Sequence, residues 1–125
     1  MSEVTSGGAE VKRALVVEDE IMVAMYVEDL LTELGFEVAG LATGLDQALP
    51  LAREGSFDFA VLDINLAGQS SFPVADVLRA RGIPFLFASG YGSKGLSDGY
   101  RDAIRIQKPF LSRDLEEAIA RIRSS

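Results

Sequence analysis

The ten residues Phe57–Leu66, FDFAVLDINL, contain an apolar run from Phe59 to Leu62 that stops at an aspartate, Asp63. A short apolar run without polar alternation reads as a buried strand of the kind found in parallel sheets. The acid at its carboxyl end is informative, because ligands of open parallel sheets gather where strands end.

Working outward, the same design recurs. Upstream, RALVVEDE (13–20) gives Leu15-Val16-Val17 and then three acids, and FEVAGLAT (36–43) reads as a strand by alternation. Downstream, IPFLFAS (83–89) is a buried strand and AIRIQ (103–107) a shorter one. Between them the period becomes helical. Val23, Val27, Leu30, Leu31 and Leu34 share one helix face, closed by Gly35. Asp46 to Glu54 reads as a helix ended by Gly55, with Pro50 working against its first half. Ser70 or Ser71 can cap a helix with Pro73 in its first turn, running to Arg81 and stopped by Gly82. Ser112 is expected to cap a last helix with Leu115, Ile119 and Ile122 on one face, acids early and arginines late.

Five strands alternating with helices predict an α/β fold. The expected form is a doubly wound three-layer sandwich on a five-stranded parallel sheet of order 2-1-3-4-5. Gly90, Gly92, Gly95 and Gly99 each cost about 1 kcal/mol in a helix relative to Ala, so the fourth helix, within residues 90–102, is expected to be short or irregular. Residues 1–11 read as a flexible N-terminal tail and 12–125 as one domain.

Composition narrows the chemistry. The chain has no cysteine and no histidine, which excludes thiol redox work, disulfides, imidazole general bases and histidine-ligated zinc. Residues 1–63 hold 3 Lys/Arg against 13 Asp/Glu, whereas residues 64–125 hold 9 against 6. So acidic a chain is a poor fit to nucleic-acid phosphates, and no nucleic-acid partner is expected. The longest apolar stretch, Ile21 to Val27, is too short to span a bilayer, and the N-terminus lacks the pattern of a secretory signal. A cytoplasmic protein without a membrane partner is expected, as a monomer or weak dimer.

At the carboxyl ends of the predicted strands stand Glu18-Asp19, Asp63, Ser89 and Lys108-Pro109. Carboxylates gathered this closely need a shared cation, and all-oxygen donors point to Mg²⁺. A lysine opposite a metal-bound aspartate suits a phosphoryl group, a short hydroxyl can donate to a further oxygen, and Asp63 is placed to act as a carboxylate nucleophile. Each residue has a plainer reading: turn, cap, surface charge or strand terminator. The conjunction outweighs these.

LVVEDE (15–20), VLDINLAG (61–68), FASG (87–90) and QKPF (107–110), in that order and spacing, resemble the receiver domain of two-component response regulators. The resemblance covers about Arg13 to Ser124 and implies a flavodoxin-like domain phosphorylated on one aspartate by a partner histidine kinase or histidine phosphotransfer protein. It implies Asp63 as phospho-acceptor, Asp19, Asp63 and the Asn65 carbonyl as Mg²⁺ ligands, and Glu18 in the other acidic-pocket position. Ser89 takes the switch-hydroxyl position, Lys108 the phosphate-contacting one, and the Lys108-Pro109 bond is expected to be cis. FASG followed by Tyr91 further resembles stand-alone receivers of alphaproteobacterial stress and light signalling, named for a Phe-Ala-Thr-Gly-X-Tyr-type motif.

One departure matters. Three residues before the lysine, where most receivers carry an aromatic switch side chain, stands Arg105. Tyr91 is then expected to take part of the signalling role, and Gly90 to be the hinge that lets the loop after Ser89 follow the phosphoryl group. The expectation is a single-domain response regulator, not an enzyme beyond its own phosphorylation and dephosphorylation, acting through phosphorylation-dependent binding to a downstream regulatory protein. A docking module of the same fold that is never phosphorylated is the alternative. A small phosphatase fits less well, because Asn65 stands where a general acid is expected, and flavin is disfavoured by the acids after the first strand.

Overall fold

The computed structural model describes residues 11–90 and 98–124. Its main sheet has five parallel strands: β1 (Arg13–Val17), β2 (Glu37–Ala42), β3 (Phe59–Asp63), β4 (Phe85–Ser89) and β5 (Arg105–Gln107). Their order across the sheet is β2-β1-β3-β4-β5, so β3 is central and the order reverses next to β1. The order is the one expected from the alternation of strands and helices.

Among the described residues four helices cover the sheet: α1 (Ile21–Glu33), α2 (Leu45–Glu54), α3 (Phe72–Arg81) and α4 (Ser112–Ser124). Because successive strand residues face opposite sides, the interior divides into two layers. On one side Val16, Phe59, Val61, Leu86 and Ala88 meet Val27, Leu30 and Leu31 of α1 and Leu115, Ile119 and Ile122 of α4. On the other, Leu15, Val17, Ala60, Leu62 and Phe87 meet Ala48 and Ala52 of α2 and Val74, Ala75 and Leu78 of α3. Every residue of β3 is buried, as a strand covered by helices on both faces must be.

The helix ends show local chemistry. Pro50 lies inside α2 without breaking it. The Gln47 side-chain carbonyl accepts from the Thr43 N–H at 2.8 Å and the Thr43 hydroxyl at 3.0 Å, securing that helix start. Ser71 occupies the N-cap of α3, but it is the Ser70 hydroxyl that accepts the Phe72 N–H, at 3.0 Å. Ser112 is not the cap of α4. The Leu111 carbonyl accepts from Asp114 and Leu115, and the Asp114 carboxylate takes the Leu111 N–H at 2.9 Å. An acid three residues inside the helix outcompetes the serine at its border.

Between β3 and α3 lies a hairpin the sequence did not announce, Asn65–Leu66 paired antiparallel with Gln69–Ser70. Its two-residue turn has positive φ at both positions, +53° at Ala67 and +89° at Gly68, the pattern of a type I′ turn. Between β4 and β5 the described residues form a 3₁₀ turn, Asp98–Tyr100. This accords with the expected short or irregular fourth helix as far as the description reaches. Tyr91, expected to share the signalling role, lies outside the described residues.

Candidate phosphoryl-acceptor site

The carboxyl ends of β1, β3, β4 and β5 open into one cleft of about 690 Å³, lined by Asp19, Asp63, Asn65, Ser89, Gly90 and Lys108 among others. Asp63, the last residue of β3, is 8% exposed. Its Oδ2 lies 3.3 Å from Lys108 Nζ, and its Oδ1 takes a long contact of 3.4 Å from the Asn65 N–H. Glu18 is more buried still. Its Oε1 accepts from Lys108 Nζ at 2.7 Å and its Oε2 from the Glu20 N–H at 3.1 Å. The lysine is thus held by two acids, with Glu18 the nearer.

Asp19 stands at the rim, its Oδ2 accepting the Ala67 N–H at 2.8 Å. One oxygen from each of Glu18, Asp19 and Asp63 falls within 4.8 Å of the others. Three hard oxygen donors at that spacing, without nitrogen or sulfur, fit a small divalent cation such as Mg²⁺. The Asn65 side chain turns outward and accepts the Gly68 N–H at 2.8 Å. Ser89 is buried at the end of β4, its carbonyl accepting the Lys108 N–H at 2.8 Å. Gly90 follows, exposed at the cleft edge. The Lys108-Pro109 peptide is cis. Arg105 lies apart from the cleft, half-buried on β5, lining a groove with Asp114, Glu117 and Arg121 of α4.

These placements set the electrostatics. Burial, then the Glu18 charge, pushes the Asp63 carboxyl up to about 7, with Lys108 pulling it back. Burial works against the Lys108 ammonium, but the Glu18 hydrogen bond and the two acidic charges outweigh it and hold its pKa above the usual lysine value. Burial also opposes the Asp19 carboxylate. The Ala67 N–H, with Asp63 and Glu18 beside it, nevertheless keeps Asp19 below the ordinary aspartate range. One cleft therefore contains an acid poised near neutrality, a second acid kept ionised and a fixed cation. The contribution of Ala67 was invisible in the sequence, because a backbone donor has no side-chain signature.

The fold and this strand-end cluster define a signalling receiver. Residues 14–120 match the model of the response regulator receiver domain, and the chain belongs to that family. It is 36% identical over 118 residues to the transcriptional activator protein IrlR of Burkholderia pseudomallei, a match covering 90% of this chain and 49% of that protein. The chain spans about half the length of the curated relatives it matches. Among solved structures it is similar to SdrG from Sphingomonas melonis, with 38% identity and a TM-score of 0.82, covering 90% of this chain and 97% of that one. It is also similar to the receiver domain of the PhyR response regulator of Erythrobacter litoralis, with 28% identity and a TM-score of 0.81, covering 94% of each chain. These likenesses agree with the subgroup suggested by FASG and Tyr91. Among the described residues no helix is long and apolar enough to cross a membrane.

Proposed function

We propose that this chain accepts a phosphoryl group on Asp63 and signals by a phosphorylation-dependent change in what it binds. The observation that carries the reading is the convergence of Asp63, at the end of the central strand, with Glu18, Asp19 and Lys108 in one cleft. These 125 residues contain no histidine, so a phosphohistidine donor lies outside them, on a histidine kinase or histidine phosphotransfer protein. An Asp63 oxygen attacks phosphorus as the P–N bond to the donor breaks, and the electron pair leaves with the imidazole. Lys108 Nζ is positioned to bind one phosphoryl oxygen, and the Ser89 hydroxyl to donate to another. Glu18, Asp19 and Asp63, with the Asn65 carbonyl, would hold Mg²⁺, which when bound neutralises phosphoryl charge.

Next to the cleft, Ile21, Met22, Met25 and Tyr26 of α1 and Leu111 after β5 are large apolar side chains left exposed, Met22 by 79%. Tyr26 ties α1 to the β5–α4 loop by donating to the Phe110 carbonyl at 2.7 Å. This apolar rim suits the side of an amphipathic helix that presents the donor histidine. The output is protein–protein binding in the cytoplasm. The likeness to PhyR, described in one structure as a stress response regulator and in another as an anti-anti-sigma factor, supports a downstream regulatory protein as the target.

Incubation with Mg²⁺ and either acetyl phosphate or phosphoramidate, followed by intact mass, tests the acceptor. The wild type should gain one phosphoryl group and Asp63→Asn none. Equal modification of both proteins would refute Asp63. A wild type left unmodified by both donors and by a phosphorylated histidine phosphotransfer protein would favour the unphosphorylated docking module.

A further inference from the structure

On the α2–α3 side of the sheet, away from the acceptor cleft, one aromatic of the β4–β5 connection is buried. Tyr100, 4% exposed, stacks on Phe72 at 5.1 Å between ring centroids with planes 11° apart. It meets Phe87 edge-on at 5.6 Å and Phe85 at 6.0 Å. Its hydroxyl donates to Asp76 Oδ1 on α3. The Arg79 guanidinium lies 4.1 Å above its ring and also donates to the Gly99 carbonyl at 3.1 Å. Phe72 and Phe87 also contact each other, at 5.7 Å.

The two main partners of this ring lead back to the acceptor. Phe87 is two residues before Ser89 on β4, the strand whose end lines the cleft. Phe72 begins α3 directly after the hairpin, from which Asn65 and Ala67 donate to Asp63 and Asp19. A doubly charged group bonded to Asp63 draws on Ser89 and crowds the hairpin, so both supports of the Tyr100 ring are asked to shift. Close-packed rings yield by stepping to another arrangement rather than by stretching.

Resting on the reading of Asp63 as acceptor, we propose that Tyr100 is the switch aromatic of this chain. Its hydrogen bond to Asp76 is a latch that holds the Asp98–Tyr100 turn against α3 in the unphosphorylated state and opens on phosphorylation. It occupies no position in the cleft and touches no reacting atom. Its role is to set the balance between the two states.

A latch that favours the resting state weakens every ligand of the activated one. Beryllofluoride with Mg²⁺, a stable phosphoryl mimic, reads this directly by titration followed through amide chemical shifts. Tyr100→Phe keeps the ring stack and deletes the hydroxyl, whereas Asp76→Ala removes the acceptor from an exposed helix position. Both should lower the beryllofluoride concentration at half-saturation, by roughly three- to tenfold, the net worth of one ordinary hydrogen bond. They should also shift the resting resonances of α3 toward their activated positions. A purely structural tyrosine would lower the melting temperature and leave half-saturation where it was. An unchanged or higher half-saturation in both variants, with a normally responding wild type, overturns the latch alone. A wild type that does not respond, or an Asp63→Asn variant that responds equally, overturns the acceptor reading and the latch with it.

Discussion

Asp63 is buried beside another acid, yet the proposed nucleophile must be ionised, and Lys108 and, more weakly, the Asn65 N–H offset its charge among the contacts described. Its folded-state pKa near 7 stands above the ordinary aspartate value of 3.8. The folded protein therefore binds the proton more tightly than the unfolded chain between those two values. That stabilisation is complete at low pH and is lost as pH rises through about 7. In EDTA, Asp63→Asn should raise the melting temperature at pH 8, by the equivalent of ~1–3 kcal/mol. The gain should shrink toward pH 5, as followed by thermal melts across the series. A gain that grows toward low pH would contradict the assignment. Asp63, Asp19 and Lys108 were legible in the sequence because each ends or follows an apolar run. The pairing of Glu18 with Lys108 was not, since 90 residues separate them and only the closed sheet brings them together. Tyr100 was hidden for a related reason. It lies outside any periodic segment, and only the packing of α3 shows that it is buried.

At the scale of elements, the Asn65–Ser70 hairpin carries the strain. Ala67 adopts φ +53°, a region that costs a residue with a Cβ roughly 1–2 kcal/mol and that Asn tolerates better. Its N–H is the one that holds Asp19, so the turn positions a carboxylate as well as reversing the chain. Ala67→Asn should stabilise the fold by ~0.5–1 kcal/mol while leaving phosphorylation intact, and Ala67→Val should destabilise it by more than about 1 kcal/mol. Urea unfolding of the three proteins decides this. Equal midpoints would mean the turn relaxes. The hairpin was not legible because Ala-Gly lacks the Asn-Gly signature of such turns. The five strands and their order were legible for the opposite reason. Runs such as Val16-Val17 and Phe59–Leu62 are apolar on both faces, which only a sheet covered on both sides requires. Helix borders were read less well at α4, where the side chain of Asp114 decides where the helix begins.

At the scale of the whole molecule, the site joins the ends of four strands, so a cation bound there is bound by the folded state alone. Mg²⁺ should then stabilise the protein by mass action, about 2.7 kcal/mol at a hundredfold excess over its dissociation constant. A melt in Mg²⁺ against one in EDTA should show a rise of several degrees for the wild type and little for Asp63→Asn. The same rise in both would place the cation elsewhere. The strand order has a further consequence in time. β3 is the middle strand of five and fully buried. The amides of Val61 and Leu62 therefore exchange their hydrogens for solvent deuterium only when the entire domain opens, whereas the hairpin can open by itself. The carboxyl proposed as acceptor is thus anchored to the slowest-opening strand of the sheet. If Asp63 is the acceptor, the hairpin beside it can open and close many times before the carboxyl that bears the label moves at all.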